Sequence, residues 1–243
     1  MSRRHGGGGR RGRSAPLQQA PSGPLVASGL GVTYDDVVAL SDIACTAQPG
    51  EVTAVTGHSG AGKTSLLWAV GGLLAHGQRT GTVTVGGHAI DSEADARAVG
   101  SVLIPQGSAL AAILSAEDNV AVPLVAAGAS GDEALARSHS ALTSVGLEDH
   151  TSHLAEELSG GQRQRVAVAR GLALAEQHLE RGGAAVLLAD EPTSELDHDT
   201  RERVVALLHA MARRGAVVLM STHDPEVAET ADAGVHLDDG SLG

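Results

Sequence analysis

From Glu51 to Ala75 the chain reads EVTAVTG, then HSGAG, then KTSLLWAVGGLLA. An apolar run, a glycine-rich turn and a helical pattern follow one another without a gap. Gly57, Gly62, Lys63 and Thr64 fit the spacing G-x-x-x-x-G-K-[ST]. The spacing has its meaning only between a strand and a helix, and both are predicted here, over 51–57 and 63–75. The glycines let successive backbone N–H groups turn inward around phosphate oxygens. The helix start adds unpaired donors and the positive end of its dipole. The stretch Gly57, His58, Ser59, Gly60, Ala61, Gly62, Lys63, Thr64, Ser65 is therefore a candidate phosphate cradle.

Composition sharpens the point. Lys63 is the only lysine among 17 basic residues. A compact ammonium on a thin stem enters a narrow cradle that a broad guanidinium fits badly. From there it can reach the β- and γ-phosphates, and the Thr64 hydroxyl can ligate Mg²⁺.

Further strands are predicted at 81–87, 99–104, 184–190 and 216–222, with helices at 162–175 and 201–215. The runs AAVLLAD and AVVLMST are continuously apolar, as in strands buried on both faces. Strand and helix alternate, which points to a parallel sheet covered by helices on both sides. Residues 107–158 read as mainly helical.

Asp190 ends one of those apolar strands and Glu191 follows it. Two adjacent acids at that place are costly unless a cation or a reaction needs them. Asp190 is placed to hold Mg²⁺ and Glu191 to polarise an attacking water. A nucleotide-hydrolysing phosphate-loop protein follows from these two motifs.

A third stretch, LSGGQRQRVAVARGLA at 158–173, puts Ser159, Gly160, Gly161 and Gln162 at a helix start. This is a second anion cradle. One nucleotide does not need two cradles from one chain, so the economical reading gives the second to a nucleotide held by another copy.

Here the sequence strongly resembles the nucleotide-binding subunit of ABC transporters, over roughly residues 25–243. LSGGQ between a phosphate loop and an acidic strand end looks like the family signature. The resemblance implies a P-loop NTPase (RecA-like) α/β fold. Its parallel-sheet core carries a small antiparallel β subdomain and an inserted helical subdomain, about 107–158. It implies further roles: Tyr34 stacking on adenine, Gln106 ligating Mg²⁺ and sensing a membrane partner, Asp197 of SELD crossing to the other subunit. It makes His223 the switch histidine on the γ-phosphate. Catalysis then falls to Glu191, His223 and Lys63, the metal to Thr64, Gln106 and Asp190, and the cofactors are ATP and Mg²⁺. The implied partners are a homodimer or pseudo-symmetric ABC dimer and a separate transmembrane permease subunit, placing the chain at the cytoplasmic face of a membrane. Within the family, SAEDNVAVPLVAAG and LADEPTSELD look most like the macrolide-exporter and lipoprotein-releasing group, which includes a cell-division ATPase. An ABC-type ATPase that regulates such a complex without moving solute is the alternative.

Two departures stand out. GSALAAILSAEDN after Gln106 lacks the aromatics common in the family. EQHLERGG at 176–183 lengthens the chain, as more helix or as a surface loop.

Charge and composition exclude other classes. The net charge is -12, and five arginines without an acid lie in the first 34 residues. The acidic body argues against nucleic-acid binding, which needs a basic footprint. Residues 1–24, rich in Gly, Arg, Pro and Ser, are expected to form a disordered basic tail. Cys45 is alone, so no intrachain disulfide is possible. No apolar run reaches transmembrane length. His150 and His153 lack a third metal ligand in the sequence.

Overall fold

The computed structural model describes residues 23–75 and 77–243. The expected tail, apart from Gly23 and Pro24, lies outside the described residues.

The chain opens with β1 (Leu25–Tyr34), β2 (Val37–Ala47), β3 (Val52–Thr56), α1 (Lys63–Val70), β4 (Arg79–Val85) and β5 (His88–Ala89). It continues through α2 (Glu93–Ala98), β6 (Ser101–Ile104), α3 (Ala116–Ala126), α4 (Gly131–Ser144) and α5 (Gly160–Glu180). The last third holds β7 (Val186–Asp190), α6 (His198–Arg213), β8 (Val217–Ser221), α7 (Pro225–Glu229), β9 (Ala233–Asp238) and β10 (Ser241–Leu242).

A six-stranded sheet runs β10-β9-β3-β8-β7-β6. All its pairs are parallel except β9 with β10. A second sheet, β2-β1-β4-β5, is antiparallel throughout.

The central strands explain why two apolar layers form. Side chains alternate along a strand, so a strand apolar at every position feeds both faces. On β7, Leu187 and Ala189 enter one core with α3, α4, α5 and α6. Val186 and Leu188 enter the other, with α1 and the antiparallel sheet. On β8, Val218 with Met220 and Val217 with Leu219 divide in the same way.

Two predicted helix ends shift by more than a turn. Helix α1 ends at Val70, not at residue 75. Gly71 caps it and Gly72 turns to φ 66°, where a Cβ would lie 2.7 Å from the Ser92 carbonyl. Apolar pattern alone cannot continue a helix through such a pair. Helix α5 runs on to Glu180, so most of the 176–183 insertion is helix. Its added turns are tied down: Gln177 Nε2 donates to the Ala127 carbonyl at 3.0 Å, Arg137 pairs with Glu180 at 2.5 Å, and Arg214 pairs with Glu176.

No helix among the described residues is long and apolar enough to cross a membrane.

Candidate nucleotide site

Strand β3 delivers the phosphate loop at the carboxyl edge of the sheet, and α1 begins at Lys63. Gly57 has φ 143° and Gly62 has φ 99°. A Cβ on Gly57 would lie 2.3 Å from the Leu237 carbonyl, and one on Gly62 would lie 2.8 Å from the Ala39 carbonyl. Both glycines are therefore demanded by conformation and by space.

Lys63 is buried and curls back beneath the loop. Its Nζ donates to the carbonyls of Gly57 at 2.9 Å and His58 at 3.0 Å. It also lies 3.9 Å from Glu191 Oε1.

Strands β7 and β8 supply the acidic side. Their register sets Asp190 beside Ser221. Asp190 accepts from Thr64 Oγ1 at 2.8 Å through Oδ2, and from Ser221 Oγ at 2.6 Å through Oδ1. Ser221 Oγ in turn accepts from the Glu191 backbone N–H at 2.9 Å. Asp190 is 2% exposed and Glu191 6%, so each needs these partners. Glu191 takes φ 49°, a left-handed conformation unusual for a residue with a Cβ. The twist carries its carboxylate to His223, whose Nδ1 lies 2.9 Å from Oε2.

These groups surround one cavity of about 470 Å³, lined by Ser59, Gly60, Gly62, Lys63, Thr64, Ser65, Gln106, Asp190, Glu191 and His223. Residues from four separate stretches of sequence thus meet at one place.

Other expected residues lie apart from it. Tyr34 ends β1 and packs, partly buried, against the core of the antiparallel sheet. Ser159 caps α5: its Oγ accepts from Gln162 N–H at 3.2 Å, and Gln162 Oε1 accepts from Ser159 N–H at 2.8 Å. Asp197 caps α6, accepting from Thr200 N–H at 2.9 Å. That bond is the main cause holding its carboxyl below the usual range. His58 turns outward, with Nδ1 2.8 Å from the Ser59 carbonyl and Nε2 3.0 Å from Asp239 Oδ1. The first contact and then the aspartate raise its pKa.

Sequence reading missed Ser221. The one available signal was a hydroxyl residue ending the apolar run AVVLMS.

The described geometry agrees with relationships to known proteins. The ABC transporter family matches residues 40–194. The macrolide export ATP-binding/permease protein MacB of Escherichia coli strain K12 is 38% identical over 213 residues, 86% of this chain and 31% of that protein. The MacB of Shigella dysenteriae serotype 1 is 37% identical over 214 residues, with the same coverage. The chain therefore spans about a third of the length of these relatives. The dimeric structure of MJ0796, a bacterial ABC transporter cassette, superposes with a TM-score of 0.79 at 29% identity, covering 90% of this chain and 96% of that one. A dimeric post-hydrolysis state of the MJ0796 ATP-binding cassette bound to ADP and Pi superposes equally well. A phosphate loop facing an Asp–Glu pair, on a fold shared with those cassettes, makes this chain a member of the ABC transporter family, as one of its ATPase domains.

Proposed function

We propose that the chain hydrolyses ATP as one half of a dimer and drives a separate membrane-embedded permease from its cytoplasmic face. One observation carries the reading: the two anion cradles do not meet within the chain. Ser159, Gly160 and Gly161 do not line the cavity that holds Lys63 and Glu191. A second copy would bring its Ser159 end to that cavity, with Asp197 crossing nearby. ATP contacts present only in the closed pair shift the population toward closure.

The residues fit Mg²⁺. Thr64, Asp190 and Gln106 offer a hydroxyl, a carboxylate and a carboxamide, all hard oxygen donors, at one cavity. When bound, the ion offsets charge on the β- and γ-phosphates. The chain's own residues supply the rest. Backbone N–H groups of 57–64 orient the phosphates, and Lys63 leaves its two carbonyls to meet them. Glu191 accepts a hydrogen bond from the attacking water. His223, donating from Nδ1 to Oε2, orients that carboxylate and faces the γ-phosphate. Tyr34 stacks on the adenine ring.

The permease dock lies near residues 107–125. Ile113 is 80% exposed and Val122 54%, an apolar surface without aromatics. Similarity to the macrolide-export relatives supports the reading of a chain from the macrolide-exporter group.

Subunit mixing tests the shared site. Ser159→Asp keeps a capping side chain but sets a negative charge against the phosphate. Lys63→Ala disables the other half. Each variant alone should lack ATPase activity, while their mixture should regain it, since one composite site per mixed dimer is intact. A mixture as inactive as its parts would refute the shared site.

A further inference from the structure

Gln106 enters the cavity from a backbone that does not hold its shape unaided. The three residues after it are all left-handed: Gly107 at φ 87°, Ser108 at 60° and Ala109 at 46°. Ala109 N–H donates to the Gly107 carbonyl at 2.7 Å. Ser108 is thus the centre of a three-residue turn of the rare positive-φ hand. Two of the three residues carry a Cβ that disfavours this region. Such a backbone persists only where its surroundings over-determine it.

The fork of Arg170 supplies that determination. Its Nη1 donates to the Ala109 carbonyl at 2.8 Å and its Nη2 to the Ser108 carbonyl at 2.9 Å. Charge-assisted, two-pronged bonds of this kind fix geometry as well as energy. The guanidinium is partly buried, and desolvation lowers its pKa.

The next residue grips the other side of Gln106. A Cβ on Gly171 would lie 2.4 Å from Ile104 Cγ1, so α5 rests directly on the last residue of β6. Helix α5 therefore holds both the strand before Gln106 and the turn after it. The same helix begins at the Ser159 cradle, 11 residues upstream of Arg170 and about 16 Å away at 1.5 Å per residue.

We infer that Arg170 is a positioning residue for Gln106: its clasp on the Ser108 and Ala109 carbonyls ties the cavity's glutamine to the helix that carries the second cradle. This rests on the proposed role of Gln106 at the metal and phosphates. Movement of the Ser159 end on meeting a partner's nucleotide would reach Gln106 along one stiff helix.

Four variants of the full chain test it: Arg170→Met, Arg170→Lys, Gln106→Ala and the double variant Arg170→Met/Gln106→Ala. Arg170→Met should speed amide exchange at Ala109 about tenfold or more, with β7 and β8 unchanged. It should lower kcat and raise the Mg²⁺ concentration for half-activation, while ATP affinity in EDTA stays within about twofold. The double variant should lose little beyond Gln106→Ala alone, because both changes remove one function. Arg170→Lys, which reaches a single carbonyl, should recover part of the exchange protection and part of kcat; if Arg170→Met does not fold, it carries the same comparison against wild type. Unchanged exchange at Ala109, or losses that multiply in the double variant, would overturn the inference. Full activity in Gln106→Ala would instead remove the role of Gln106 itself, and the inference with it.

Discussion

Thr64 and Asp190 stand 126 positions apart in sequence, and the hydroxyl of one donates to the carboxylate of the other at 2.8 Å. The bond joins the first turn of α1 to the end of β7. Under the proposed metal role, it would also preset two oxygen atoms for one cation. Asp190→Asn preserves shape and most hydrogen bonding but removes the charge. The Mg²⁺ needed for half-maximal ATPase activity should rise by about 10–100-fold. A Mg²⁺ titration at fixed ATP measures it, and an unshifted curve would take Asp190 out of the metal site.

Glu191 is buried, left-handed and bonded to His223. Glu191→Gln keeps size and one acceptor but cannot take a proton. Turnover should fall by about 10²–10⁴-fold. ATP binding should survive, so the variant should run as a dimer in ATP and as a monomer in ADP. Size-exclusion chromatography with light scattering reads both states.

Ser221 links the backbone of Glu191 to the carboxylate of Asp190. Ser221→Ala strands a buried N–H and a buried carboxylate oxygen. Stability should drop by about 1–3 kcal/mol, measured by denaturant unfolding. Because Glu191 loses its tether, turnover should drop as well. A variant equal to wild type in both would show that the bridge is redundant.

His58 should titrate above its ordinary value of 6.5, because the Ser59 carbonyl and then Asp239 favour its protonated form. The sign follows from linkage. A pKa raised on folding contributes stability below the unfolded value, and that contribution fades as pH rises through the folded one. Asp239→Asn should bring the midpoint down. Proton NMR of the imidazole measures both; a midpoint at or below 6.5 in wild type would contradict it.

Much of the site was legible because its chemistry is local. Gly57 to Ser65 needs only a strand before it and a helix after it, and β3 and α1 supply them. Asp190 and Glu191 announced themselves as acids ending an apolar strand. Ser221 stayed hidden because its role depends on register: only the pairing of β7 with β8 sets it beside Asp190. Strand ends were blurred by one or two residues, since apolar runs continue past the last ladder bond. The length of α1 was overestimated because LLA beyond Gly71 and Gly72 repeats the apolar pattern of the helix. The stitched turns of α5 were left open because their partners lie in α4 and just past the ends of α3 and α6.

Trp68 lies on α1, five positions beyond Lys63, and is 39% exposed. It is the sole tryptophan, beside a single tyrosine and no phenylalanine. At 1.5 Å per residue its indole sits on a helix whose first turn is only about 8 Å distant along the axis. Nature has thereby left a fluorophore at one spot against a nearly dark background. Its emission would follow nucleotide arrival at that helix in real time, without any label attached.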